Sequence, residues 1–143
     1  MTGPASIYDA LLLRHHRDPC GYGIPDHCTH SANGRNPRCG DEVTVALRVE
    51  EERIVEAAFE AQACAVTRSA ASLMIQCIRN LTTTEAAGTA RALEAFFLSP
   101  GEEAPPELLQ GEMAAFIRLR GHTERKDCAL LPWRALLDAL PGT

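Results

Sequence analysis

No two cysteines in this chain are spaced C-x-x-C, so the sequence offers neither a zinc ribbon nor a thioredoxin-type redox pair. It contains no run approaching the roughly 20 apolar residues of a membrane helix, and no membrane role is expected. Basic charge is in deficit, with 14 Lys and Arg against 19 Asp and Glu and a net charge of -5. The basic stripe of a nucleic-acid binder is therefore missing. Aromatic residues make up only 5% of the chain, which leaves Ala, Leu, Val and Ile to build the core. The opening residues Met1 to Ser6 show neither the charged region nor the apolar region of a secretory signal, so a cytoplasmic chain is the expectation. At 143 residues the chain reads as one domain, 1–143, able to bury a core without disulfide staples.

What is present divides into segments. Ile7, Leu11 and Leu12 share a helical face over 7–16, with His15-His16 read as its solvated end, and Asp18-Pro19 stops the pattern. Residues 17–41 hold four Gly, three Pro, three Cys and two His, and read as a long irregular loop. Val43, Val45, Leu47 and Val49 alternate, Glu50-Glu51-Glu52 makes a polar turn, and Val55, Ala57, Phe59 and Ala61 alternate on the return: a β-hairpin. A third strand is expected, but the remaining alternation is too short to place it. Val66 to Leu81 follows a helical period. Thr82-x-x-Glu85 has the form of a capping box opening a helix to Leu98. Pro105-Pro106 opens another, with Leu108, Leu109, Met113, Phe116 and Ile117 facing inward. A polar loop over 122–127 precedes a last helix opened by Pro132, with Trp133, Leu136, Leu137 and Leu140 inside. The fold class is α+β, a small antiparallel sheet packed against several helices.

Six cysteines without disulfide context point to metal or sulfur chemistry. Cys39 lies in the turn before the first hairpin strand, Cys64 where the second strand hands over to a helix, and Cys128 just before the last helix. A helix N-terminus favours thiolate over thiol, although buried, inert cysteines are the plain alternative. Asp41, two residues beyond Cys39 with Gly40 between, can share a centre with Cys39 or simply cap the turn. Cys77 lies on an apolar helical stripe and reads as core. Cys20, His27, Cys28 and His30 are zinc-ligand types at a spacing that fits no finger or ribbon, and read as a loop with spare thiols.

Three sequence contexts are similar to a known family. These are Cys39-Gly40-Asp41, Cys64 opening an Ala/Ser-rich helix (Cys64-Ala65-Val66-Thr67-Arg68-Ser69-Ala70), and Arg125-Lys126-Asp127-Cys128-Ala129-Leu130. Together they resemble the U-type iron–sulfur cluster assembly family over nearly the whole chain. The likeness is greater to its zinc-binding SufU branch than to the IscU scaffolds, because the segment between the second and third cysteines is long and no histidine precedes Cys128. The chain departs from the family at Ala63, Arg68 and Asp127.

The resemblance implies one Zn2+ held by Cys39, Asp41, Cys64 and Cys128. It also implies a persulfide sulfur received on Cys39 from a pyridoxal-phosphate cysteine desulfurase and passed on to downstream iron–sulfur assembly proteins. Three thiolates and a carboxylate suit tetrahedral zinc. Two other readings stay open: a scaffold building a [2Fe–2S] cluster on the same residues, and a non-catalytic zinc-stabilised interaction module.

Overall fold

A computed structural model describes residues 14, 15, 17–98, 111–114 and 123–141. Strands β1 (His30–Asn36), β2 (Asp41–Glu50) and β3 (Arg53–Gln62) precede helices α1 (Ala65–Ile78) and α2 (Thr83–Leu98), a 3-10 turn at Gly111–Ala114, and α3 (Thr123–Ala139). The sheet is antiparallel in the order β1-β2-β3. The helix expected over 7–16 and the one expected after Pro106 lie outside the described residues, apart from Arg14, His15 and the 3-10 turn.

The expected hairpin is present. Val43, Val45, Leu47, Ala57 and Phe59 are buried on its inner face, as alternation requires. Glu50 pairs with Arg53 across a two-residue turn in which Glu51 and Glu52 both have positive φ. That is the twist-matched hairpin turn usually made by Asn-Gly, here imposed on two glutamates. Val55 departs from expectation and is exposed. The register shifts at Arg48/Val49 so that Val49 pairs with Ile54 and Arg48 with Glu56. Val55 is the extra, unpaired residue of a bulge, and Ile54 takes the inward place.

The stretch 17–41 is not irregular throughout, because β1 occupies part of it. Its sequence, His-Ser-Ala-Asn-Gly-Arg-Asn, carries no aliphatic alternation because it is a polar edge strand held by ladder bonds to β2. Its inner face meets α3 at Gly34, where a Cβ would come within 3.2 Å of the Ala135 Cβ. The missing side chain lets the helix lie close to the strand.

Helix α1 is buried along most of its length, from Val66 to Ile78, between β3 of the sheet and helix α3. The capping box at the start of α2 is formed: the Thr82 N–H donates to Glu85 Oε1 at 2.9 Å, and the Glu85 N–H donates to Thr82 Oγ1 at 3.0 Å. Leu93, Phe96 and Phe97 of α2 are buried. Pro132 does not open the last helix; α3 starts at Thr123 and passes through Pro132. A proline inside a helix forfeits one hydrogen bond, here the bond to the Cys128 carbonyl. Burial of Leu130, Leu131, Trp133 and Leu136 offsets that loss. His15 also differs from the solvated helix end expected of it. It is 4% exposed, with Nδ1 2.6 Å from the Ser72 Oγ of α1. Among the described residues, no helix is long and apolar enough to cross a membrane.

Candidate metal and thiol centre

Three parts of the fold converge at one end of the sheet. Asn36 pairs with Asp41, so residues 37–40 form the loop joining β1 to β2, with Cys39 near its tip. The Asn36 carbonyl accepts from the Gly40 N–H at 2.8 Å and from the Cys39 N–H at 3.3 Å. Gly40 has φ +80, a left-handed conformation that glycine adopts without steric cost. Cys39 is exposed.

Asp41 begins β2, and Glu42 pairs with Gln62 near the end of β3. This register sets Asp41 beside the point where β3 passes into α1. Cys64 is the N-cap of α1, and its Sγ accepts from the Thr67 N–H at 3.5 Å. Sulfur is a weak acceptor, and the first turn of α1 holds no acidic residue. Asp41 supplies the missing negative charge from the neighbouring strand. Its Oδ1 accepts the Cys64 N–H at 3.2 Å, and its Oδ2 accepts the Thr67 hydroxyl at 2.7 Å. The capping alternative weighed for Asp41 is thus real, but the element it caps is α1.

Cys128 lies in the second turn of α3 and is buried, not ahead of the helix as expected. Its environment comes not from the start of its own helix but from the start of α1, where Cys64 and Thr67 both hydrogen-bond to it. The ligand atoms of Cys39, Asp41 and Cys128 all lie within 4.8 Å of one another. Cys64 joins them through a thiol hydrogen bond to Cys128 and through its N–H bond to Asp41.

Hydrogen bonding from Cys128 holds the Cys64 thiol down at about 6 against its partial burial, with Thr67 assisting. The same bond, with burial, pushes the Cys128 thiol far up. The pair therefore shares one proton near neutrality, with Cys64 as the thiolate. A depressed thiol adds stability that is complete above its ordinary value of about 8.5 and is lost as pH falls through the folded value. We expect the chelator-treated protein to gain stability between pH 6 and 8 in urea titrations, and Cys64→Ser to flatten that rise.

Of the residues singled out from sequence, Cys39, Asp41 and Cys128 come together as one group, and Cys64 lies beside them, outside that group, through its N–H bond to Asp41. Cys20, His27, Cys28 and His30 do not form a metal-ligating group among the described residues. The Cys20 N–H donates to Ser72 Oγ at 2.8 Å, His27 pairs with Glu56 at 3.1 Å, and His30 Nδ1 contacts the Thr29 hydroxyl at 2.8 Å. Cys77 is half-buried against the core, and burial pushes its thiol up. Sequence reasoning missed Thr67, which is fully buried and touches both Asp41 and Cys64. Its position three residues after the N-cap was the available signal.

The sequence matches the NifU-like N terminal domain over residues 7–129. The chain belongs to this family, which includes SufU and IscU. Zinc-dependent sulfurtransferase SufU of Bacillus subtilis is 25% identical over 134 residues, covering 92% of this chain and 87% of that protein. Iron-sulfur cluster assembly scaffold protein IscU of Thermotoga maritima is 28% identical over 134 residues, covering 94% and 92%. A crystal structure of a putative iron–sulfur cluster assembly scaffold protein for the SUF system from Fervidobacterium islandicum has a TM-score of 0.82 at 28% identity. The match covers 96% of this NifU-like chain and 99% of that one. Three antiparallel strands with helices packed on them are thus the family's fold.

The donor set fits zinc. Thiolate and carboxylate are its ordinary ligands, and Asp41 keeps oxygen lone pairs beyond its two hydrogen bonds. Asp41 also supports α1, so we expect Asp41→Ala to stay folded but to lose about 1–2 kcal/mol. Urea denaturation measures that loss. Zinc retention should fall with it, whereas a residue acting only in the turn would leave zinc retention unchanged.

Proposed function

We propose that this chain is a zinc-dependent sulfur acceptor and carrier in iron–sulfur cluster assembly, loaded by a pyridoxal-phosphate cysteine desulfurase. The observation that carries the reading is the placement of an exposed cysteine on a glycine-flanked loop, within 4.8 Å of the Asp41 and Cys128 ligand atoms. The family relationship to a zinc-dependent sulfurtransferase supports it.

Cys39, Asp41, Cys64 and Cys128 would hold the metal. Zinc, when bound, keeps such thiols deprotonated and does no redox chemistry. Cys64 and Cys128 are fixed by helices, and Asp41 by its bonds to Cys64 and Thr67, so Cys39 is the group free to approach a partner. The Cys39 thiolate attacks the outer sulfur of the desulfurase persulfide. A new S–S bond forms on Cys39, the partner's S–S bond breaks, and the partner's cysteine leaves as thiolate. No external oxidant or reductant is consumed.

Mass spectrometry after incubation with desulfurase and cysteine tests the reading. A gain of sulfur on the Cys39 peptide supports it, and a gain confined to Cys20, Cys28, Cys64 or Cys128 overturns it. The IscU relatives favour a second reading, in which the same residues build a [2Fe–2S] cluster as cargo. Metal analysis of protein purified without oxygen separates the two: zinc supports the first, and a stable brown iron–sulfur chromophore supports the second.

A further inference from the structure

Asp127 is not used by the sulfur-transfer reading, yet it lies between two arginines. Its Oδ2 is 3.9 Å from Arg38 Nη1, and its Oδ1 is 3.7 Å from Arg134 Nη1. Arg134 is in turn held by Glu94 of α2 at 3.0 Å. Arg38 immediately precedes Cys39, and Asp127 immediately precedes Cys128. The chain of charges therefore runs from the Cys39 loop, across α3, to α2.

The loop has little else to hold it. Its hydrogen bonds close on Asn36: the Arg38 N–H donates to Asn36 Oδ1 at 3.1 Å, and the Cys39 and Gly40 amides donate to the Asn36 carbonyl. A groove of about 340 Å³ opens between β1 and α3, lined by Asn36, Pro37, Asp127, Leu131 and Arg134. The groove leaves open space between the Asn36-Pro37 side of the loop and α3, while Cys39 reaches to within 4.8 Å of Cys128 at its other side. Among the described residues the Arg38–Asp127 pair is the loop's charged contact with the helix.

We infer that Asp127 is a positioning residue, an electrostatic latch that holds the Cys39 loop through Arg38 against helix α3. The inference rests on the reading of Cys39 as the residue that leaves and returns. Arg134, braced by Glu94, keeps the Asp127 carboxylate in place. The Arg38 side chain is 85% exposed and that of Asp127 47%, so the latch is weak enough to yield when a partner docks.

The test compares the full chain with Asp127→Ala, Asp127→Glu, Arg38→Ala and the double alanine variant, measuring the metal content of each. Amide hydrogen exchange over residues 38–40 is followed after chelator treatment, and iodoacetamide labelling of Cys39 is followed in the metal-loaded protein. Each single alanine variant should speed exchange and labelling about two- to fivefold, the range an exposed ion pair supports. The double variant should be no faster than either single, and Asp127→Glu should stay near wild type. About 1 M NaCl should bring wild type to the rate of the variants.

Unchanged exchange in the singles, or multiplied effects in the double, overturns the latch. So does an effect of Asp127→Ala without one from Arg38→Ala, because Asp127 would then act on the thiol centre directly. The exchange measurement needs neither metal nor sulfur. Failure of the zinc reading would appear separately, in the metal content and in sulfur loading.

Discussion

Cys39→Ser should abolish sulfur loading while leaving the fold in place. Cys39 is exposed, lies in a loop whose hydrogen bonds are internal, and takes no part in the core. Its loss therefore removes no buried contact and leaves no buried polar group unpaired. Circular dichroism should match wild type, and mass spectrometry should show no added sulfur after incubation with the desulfurase. Cys20→Ser and Cys28→Ser should load normally, because neither cysteine contributes to the ligand group. Cys128→Ser differs in kind. It alters a buried position beside Cys64, so it should lower stability as well as loading. Retained loading in Cys39→Ser would move the acceptor role to another thiol.

Removing the metal should have the second large effect. A ligand that binds only the folded state stabilises by about 4 kcal/mol when present a thousandfold above its dissociation constant. At roughly 2–4 °C per kcal/mol for a chain near this size, the melting temperature should fall by about 10 °C on chelation. Unfolding should not be complete, because the buried apolar core that includes Val43, Leu47, Phe59, Leu73 and Trp133 needs no metal to form, although Cys128 belongs to it and Cys64 packs against it. Scanning calorimetry before and after chelation, with re-addition of zinc, measures the shift. A melting temperature indifferent to chelator and zinc alike would count against a resident metal.

The elements legible in the sequence were those with a buried face. Val43 to Leu47 and Ala57 to Phe59 alternate because one side meets the helices, and Val66 to Ile78 follows the helical period. Cys39, Asp41 and Cys64 stand out because they sit beside glycine or at a change of period. β1 was hidden because a polar edge strand is defined by its neighbour's backbone and not by its own side chains. Val55 misled because a bulge changes the inward phase without changing composition. Cys128 was misplaced because Pro132 has the look of a helix start, whereas tertiary burial carries α3 through it. The Asp41–Thr67 and Asp127–Arg38 contacts join residues far apart in sequence, and no local pattern reveals them.

The centre draws its groups from the β1–β2 loop, the start of β2, the start of α1 and the second turn of α3, so no single element of the fold contains it. Its most distant cysteines meet only after the sheet has formed and α3 has docked, when the entropy of closing the intervening chain has been overcome. On the proposed zinc reading, metal capture with the full ligand set is therefore a late event in folding. In a refolding experiment, zinc uptake should lag behind the far-ultraviolet signal of the hairpin and α1, and would report the moment at which the last helix locks into place.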